Sequence, residues 1–599
     1  MIYTQKGLDW ALNFIDSINA DPSKYVIYKQ SRPIANLKHM MVTTTDLYPN
    51  NTAFMMKFPG TKEYESISFT RVLEEMNALG TALIAKGLKG KRIAVCGENC
   101  YYWCLSYLAA VCGVGVVVPL DKELPDSDLK GLATAAEVAC VFTTKKHQAM
   151  FEEMLKNHEG SMEYVVGMYT KPEEAGDVLS LEALIEEGKK LIAAGETSYI
   201  NAQIDEEAMG ILLYTSGTTG LSKGVMLSHK NICADLMSAP NLLEVLPTDR
   251  FFNVLPLHHT YACTCDFLVP MYKGACMAFC EGLKYIQKNL KEVKPTLFLG
   301  VPAIFEALYK TINKNIKKQG KDKTVAKVLK INKYTKKIGL DLVPKFMGQI
   351  LDVFGGQLRT IIAGGAAMDP IITDFFCDLG FRAVQGYGLT ECSPIAALNP
   401  DKRELANPAA AGRVLPMFDA KIVDAGEDGN GEICIKGDHV MLGYYQMPEQ
   451  TAEVLVDGWY HTGDLGYMDE NRFIFITGRK KNVIITSNGK NVYPEELEYK
   501  LSLSKFVSES MVWADEDEQG HDVRIVATII PEKEEVEAVL GADAPADKVL
   551  ALLQGEVDKL NENEPLFKQI KKVVLRTEPF VKNTSAKIKR FEADNKKLN

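Results

Sequence analysis

Residues 358–388 read LRTIIAGGAAMDPIITDFFCDLGFRAVQGYG. The apolar run LRTII ends on two glycines, DPIITDFFCDLG follows with helix-like spacing, and FRAVQGYG closes the unit as a second strand with its own glycine turn. A strand, a helix and a strand in sequence are the parts of a parallel sheet. The same texture runs through the first three quarters of the chain. KRIAVCGEN (91–99) precedes a helical stretch and the strand VVVPL (116–120). AEVACVFTTKK (136–146) leads to EYVVGMYT (163–170), and PTLFLG (295–300) feeds PAIFEALYK. The fold class is therefore α/β with mostly parallel strands, whose ligands sit at the strands' carboxyl ends, where the glycine turns lie.

Beyond about Asn407 the texture becomes short strands and tight turns. DAKIVDAGEDGNGEICIKG (419–437) reads as a hairpin turned by Gly426, Gly429 and Gly431. From Lys481 a smaller α+β unit begins, with a helix from Pro494 and another over 544–561. The expected division is 1–480 and 481–599.

Composition narrows the function. The 599 residues carry 68 basic and 78 acidic side chains, a net charge of −10, which argues against a dedicated nucleic-acid binder. Thirteen cysteines, an odd number, suit free thiols in a reducing compartment. Cys96, Cys100 and Cys104 recur every four residues but lack a CxxC pair or a histidine cluster, so they read as small buried hydrophobes. Tyr101–Leu120 is uncharged, yet Ser106, Gly113, Gly115 and Pro119 interrupt it, which favours a buried helix and strand over a membrane span. The N-terminal twenty residues carry Asp9 and Asp16 and no long apolar core, so no secretory signal is expected. Residues 310–345 hold twelve lysines and two acids. The reading preferred there is a solvated helix pair with Val325, Val328 and Leu329 facing the core; the alternative is a patch that meets acidic lipid or phosphate.

Three stretches carry chemistry. YTSGTTGLSKG (214–224) follows the apolar strand MGILL (209–213). Gly217, Gly220 and Gly224 free the turn so that backbone N–H groups converge on an anion. Thr215, Ser216, Thr218 and Thr219 add hydroxyls, and Lys223 adds a charge. This is not a Walker A loop, because Lys223 is followed by glycine rather than Ser or Thr. QGYGLTE (385–391) offers an aromatic, Tyr387, a hydroxyl, Thr390, and a carboxylate, Glu391, that suits magnesium. WYHTGD ends in Asp464, suited to two ribose hydroxyls, and Arg479 follows fifteen residues later.

These stretches, with GRKKN (478–482) and the terminal NTSAKIKR, stand in the order and spacing of the adenylate-forming superfamily of acyl-CoA synthetases, luciferases and peptide-synthetase adenylation domains. The chain resembles that group over about residues 35–595. SRPIANLKHM, LPLHHTY (255–261), the lysine-rich insert and SNGKNVYPEELE (487–498) are most similar to bacterial long-chain fatty-acid–CoA ligases. The resemblance implies a large N-terminal domain of parallel α/β subdomains with a small β-barrel-like part, then a small mobile C-terminal domain. It implies that residues 215–220 and Lys223 cover the β- and γ-phosphates, and that Thr215 and Glu391 help hold Mg2+. Gly364, Gly365, Ala366, Gln385, Gly386, Tyr387 and Gly388 would line the adenine site, with Thr390 at its end, and Asp464 and Arg479 would grip the ribose. His259 would stand beside the acyl pocket, preceded here by His258 where the family carries an aromatic. Lys587 matches the catalytic lysine, with Ala586 where a glycine is usual. Lys481 matches the hinge, and Gly489 the coenzyme A channel.

The implied reaction joins a medium- to long-chain fatty acid, ATP and coenzyme A in a cytoplasmic enzyme, with peripheral contact at the inner membrane face as a variant. Two alternatives stand beside it. One is adenylation of an aryl or short-chain acid, or transfer to an acyl-carrier protein. The other is a non-catalytic nucleotide- or acyl-binding protein, which would have no need of Lys587, Glu391 and Asp464 together.

Overall fold

The computed structural model describes residues 2–21, 25–215, 222–335, 340, 343, 348, 350–427, 429–486, 490–516, 523–582 and 588–597. Its first sheet runs parallel through Met209–Thr215, Val116–Leu120, Arg92–Cys96, Val138–Thr143, Tyr164–Gly167 and Val178–Ser180. Val138–Thr143 is buried at every position, as a parallel strand covered on both faces must be. Lys223–Ser228 lies antiparallel beside Met209–Thr215, and Gly443–Tyr444 pairs beyond it.

The second sheet runs parallel through Cys276–Phe279, Arg250–Asn253, Leu297–Gly300, Thr360–Ala363 and Arg382–Gly388. There the direction changes. Ile395–Leu398, Gly412–Val414, Phe473–Arg479, Trp459–Met468, Gly431–Lys436 and Asp419–Val423 continue it as an antiparallel ladder. The short strands after Asn407 thus extend the sheet that the opening βαβ unit belongs to. The helix of that unit spans Pro370–Asp378. The Asp369 carboxylate caps it by accepting from the Ile371 N–H at 2.7 Å, and Pro370 supplies the preset φ of a first turn. It buries Ile372 and Phe376, and the Phe376 ring meets Phe305, Phe354 and Phe381 edge-on or tilted.

The uncharged run 101–120 forms the buried helix Tyr101–Ala109 and the strand Val116–Leu120. Among the described residues no helix is long and apolar enough to cross a membrane. Cys96, Cys100 and Cys104 are buried, and the thirteen cysteines are all free thiols. The Cys100 sulfur caps its helix, accepting from the Trp103 N–H at 3.4 Å. In the lysine-rich region, helices Pro302–Lys318 and Asp322–Thr335 bury Val328 and half-bury Val325 and Leu329. After Lys481, strands Val507–Glu516, Val523–Pro531 and Lys572–Leu575 enclose a core of their own with Leu497, Leu501, Leu553 and Val557.

The strand turn that carries the aromatic-glycine motif is closed by contact. A Cβ on Gly388 would lie 2.0 Å from the Pro394 carbonyl oxygen, a backbone atom with nowhere to go. Gly388→Ala is expected to destabilise the fold by about 1–3 kcal/mol in urea titration, the cost typical of overpacking. Gly131 offers the contrast, since it lies in helix Asp126–Ala135 and a Cβ there meets nothing within 4 Å. Gly131→Ala should be neutral or gain about 0.5–1 kcal/mol.

Candidate functional site

The register of the opening unit decides where its glycines go. Ala363 pairs with Gln385, so the turn 364–366 lies beside Gly386, Tyr387 and Gly388 at the carboxyl ends of adjacent strands. Both turns open on a cavity of about 2000 Å³, which is also lined by Thr215, Lys223, His258, His259, Thr390, Glu391, Tyr444, Tyr460, Arg479 and Lys481. Among these, Gly364 is packed against Tyr261, whose ring atoms would lie 2.7 Å from an added Cβ. The Thr390 hydroxyl lies 3.2 Å from that of Thr260.

Asp464 and Arg479 end their motifs fifteen residues apart because they are cross-strand partners in the hairpin of Trp459–Met468 and Phe473–Arg479. Arg479 forms an ion pair with Asp464, Nε to Oδ1 at 2.9 Å, and the Tyr387 hydroxyl donates to Asp464 Oδ2 at 2.7 Å. Burial is the largest influence on the Arg479 guanidinium and pulls its pKa downward, but Asp464, Tyr387, Glu391 and Tyr460 together outweigh it and leave the pKa raised. Asp464 is 3% exposed, so its carboxylate is held behind the cavity wall by the two groups that face it.

Gln385 takes a different course. Its side chain is bound to backbone, donating to the carbonyls of Pro408 and Ala410 at 2.9 and 2.6 Å and accepting from the Met368 N–H at 3.3 Å. It is absent from the residues lining the cavity, where its neighbours Gly386 and Tyr387 are present. Ser216, Gly217, Thr218, Thr219, Gly220, Gly489 and Lys587 lie outside the described residues. At the loop's two ends, Thr215 and Lys223 are cross-strand partners.

The rings of the two histidines expected beside the acyl pocket lie 4.2 Å apart between centroids, tilted by 47°. Burial, reinforced by His259, pushes the His258 pKa down to about 3 despite Asp121 at 3.5 Å, so His258 is a neutral ring at physiological pH. A hydrogen-bonded chain fixes the loop that carries them. Asn99 accepts from the Leu257 N–H at 3.1 Å and donates to Asn253 at 2.7 Å, and Asn253 donates to the buried Asp266 carboxylate at 2.7 Å. Beyond the histidines the cavity wall turns apolar, with Val245, Phe251, Leu255, Leu299, Ile304 and Leu308.

Glu391 and Thr215 fit a hard cation. One carboxylate and one hydroxyl open on the cavity beside the Lys223 ammonium, which suits Mg2+, an ion that keeps water and phosphate oxygens as most of its ligands.

A family profile described as AMP-binding enzyme matches residues 43–445. The chain belongs to the AMP-binding enzyme family. It is 28% identical to the long-chain-fatty-acid–CoA ligase ACSBG2 of Rattus norvegicus over 473 residues, 73% of this chain and 69% of that protein. It is also 28% identical to long chain acyl-CoA synthetase 1 of Arabidopsis thaliana over 559 residues, 86% of this chain and 83% of that one. Among solved structures, the anthranilate CoA ligase AuaEII in complex with anthranoyl-AMP superposes with a TM-score of 0.73 at 20% identity, covering 96% of this chain and 99% of the other. Profile and relatives together put the chain in the AMP-forming acid–CoA ligase class.

Sequence reasoning missed Tyr444, Tyr460 and Glu432. Glu432 is buried and binds Lys480 at 2.9 Å, His461 at 3.2 Å and the Gly463 N–H at 3.1 Å. Tyr460 lies within WYHTGD and Glu432 within the glycine-rich hairpin 419–437, yet neither was singled out there, because only strand pairing brings these side chains to the cavity. Lys481, expected as a hinge, lines the cavity as well. Burial and the nearby Arg479 lower its pKa to about 8, with Lys223 adding to the shift and Asp464 and Glu495 opposing it. A polyanion arriving there favours the protonated amine, so the free site binds it best below pH 8. ATP affinity measured by calorimetry between about pH 7 and 9.5 should weaken as pH rises through 8, by up to roughly tenfold per unit. Lys481→Met should flatten that limb.

Proposed function

We propose that the chain is an ATP- and magnesium-dependent ligase that activates a medium- to long-chain fatty acid as its acyl adenylate and passes the acyl group to coenzyme A. The observation that carries the reading is the cavity itself. It is lined by Lys223, Arg479, Lys481 and Glu391 and also by a set of aliphatic and aromatic side chains that includes Val245, Phe251, Leu255 and Leu299. Its volume of about 2000 Å³ exceeds the roughly 300–1,000 Å³ of a single small-ligand site, which suits a nucleotide and an acyl chain held together. The names of the rat and Arabidopsis relatives support the fatty acid. The likeness to an anthranilate ligase is one of fold alone.

A carboxylate acylates poorly because oxide is a poor leaving group. In the first half-reaction a carboxylate oxygen attacks the α-phosphorus of ATP and the bond to pyrophosphate breaks. Two anions must meet for this to happen, so the residues at the cationic end have to offset their repulsion. Lys223 stands where the β- and γ-phosphates would lie, and Asp464 with Arg479 would hold the ribose. Lys587 would bridge carboxylate and α-phosphate and fix their approach. Mg2+ on Thr215 and Glu391 would supply further charge neutralisation. In the second half-reaction the thiol of coenzyme A attacks the acyl carbon and AMP leaves. The proposed domains, 1–480 and 481–599, divide at Lys481, and rotation of the second would withdraw Lys587 and bring Gly489 to the thiol's channel.

Removing one such charged contact costs about 10²–10³-fold in rate. Lys587→Ala should therefore lose at least that much acid-dependent ATP–pyrophosphate exchange while melting at the wild-type temperature. Unchanged exchange would overturn the lysine's assignment. The same exchange assay run from acetate to oleate, with benzoate included, should peak among the longer acids. A maximum at benzoate or acetate would refute the fatty-acid reading.

A further inference from the structure

The strand Gly443–Tyr444 lies against Lys223–Ser228, with Tyr444 opposite Val225 and Gly443 opposite Met226. Flanking backbone bonds lock it in place, from the Leu442 N–H to the Met226 carbonyl at 2.9 Å and from the Tyr445 N–H to the Gly224 carbonyl at 2.7 Å. The Tyr444 N–H is bound by the Thr451 hydroxyl at 2.9 Å, and the Met441 N–H donates to the Glu391 carbonyl at 2.8 Å. This strand therefore ties the loop that ends at Lys223 to the turn that carries Glu391. Its one inward side chain, Tyr444, is 5% exposed and meets both. The phenolic hydroxyl donates to Glu391 Oε1 at 2.9 Å, and the Lys223 ammonium lies 4.5 Å from the centre of the ring.

We propose that Tyr444 is a positioning residue that holds Glu391 and Lys223 apart and aimed into the cavity until nucleotide arrives. The proposal rests on the reading of Glu391 as a metal contact and Lys223 as a phosphate contact. An ammonium and a carboxylate left side by side in a half-buried site would pair directly, and a charge-assisted pair is a strong competitor for an incoming phosphate. Tyr444 replaces that pair with two weaker contacts. The ring face holds the ammonium through its quadrupole, which a phosphate readily displaces. The hydroxyl fixes one carboxylate oxygen and leaves the other free to meet a cation, as groups behind a metal ligand do. Among the described residues Lys223 and Glu391 make no ion pair with each other.

The test separates the two contacts. Binding of a non-cleavable ATP analogue to the full chain is measured by calorimetry across a magnesium titration, for wild type, Tyr444→Phe, Tyr444→Leu and Glu391→Gln. Tyr444→Phe keeps the ring and should bind the analogue as wild type does at saturating Mg2+, while needing about tenfold more Mg2+ for half effect. Tyr444→Leu loses the ring too, and should also weaken the analogue about fivefold at saturating Mg2+. Glu391→Gln should lose most of the magnesium dependence. If Glu391→Gln shifts that dependence and Tyr444→Phe does not, the tyrosine's role is refuted and the reading of Glu391 stands. If Glu391→Gln matches wild type, the metal reading fails and takes the proposal with it. Equal losses in both tyrosine variants that follow only their melting temperatures would mark Tyr444 as packing and overturn the proposal.

Discussion

A carboxylate shut away from water needs partners in the protein, and Asp464 has two. Tyr387 reaches it from Arg382–Gly388 and Arg479 from Phe473–Arg479, so one acid stitches the last parallel strand to the final antiparallel hairpin. The Arg479 side chain keeps 41% of its surface exposed, so solvent screens its side of the pair and its removal costs less than breaking a fully buried pair. The glycine turns, the Tyr387 ring and the Arg479 guanidinium are therefore joined in one wall. Loop ends on the other sheet, at Thr215 and Lys223, face that wall across the cavity and meet it through Tyr444.

That arrangement separates the site by polarity. Charged and hydroxyl groups gather where the strands of both sheets end, while the histidine pair stands at the border with the apolar wall. His258 is neutral there, so it adds no cation beside the acyl end.

How much of this was legible in the sequence follows from the range of the forces involved. The βαβ texture was readable because buried parallel strands must be apolar throughout and their turns need glycine, both local demands. Asp464 and Arg479 were readable as a pair only through the family resemblance, and their cross-strand register came from the fold. Tyr444 was not readable, since its place is set by pairing with a strand more than two hundred residues earlier. Gln385 misled for a related reason. A motif fixes where the backbone goes, but the side chain's partners, Pro408 and Ala410, come from a loop the motif does not contain. Lys481 carried a further property that only the fold supplies, because burial beside Arg479 moves its pKa and no neighbour in sequence does so alone.

The lysine-rich helices close the argument about the proposed domain rotation. Lys310 and Lys314, on Pro302–Lys318, reach across to Glu532 and Glu534 of the C-terminal unit at 3.0 and 2.9 Å. All four side chains retain solvent contact, from 28% for Glu532 to 74% for Glu534, so each pair is worth only about 0–1 kcal/mol. A large apolar interface would hold one arrangement of the two units too firmly for a reaction that needs two. Exposed ion pairs act differently. Under the proposed rotation they would favour one orientation without locking it.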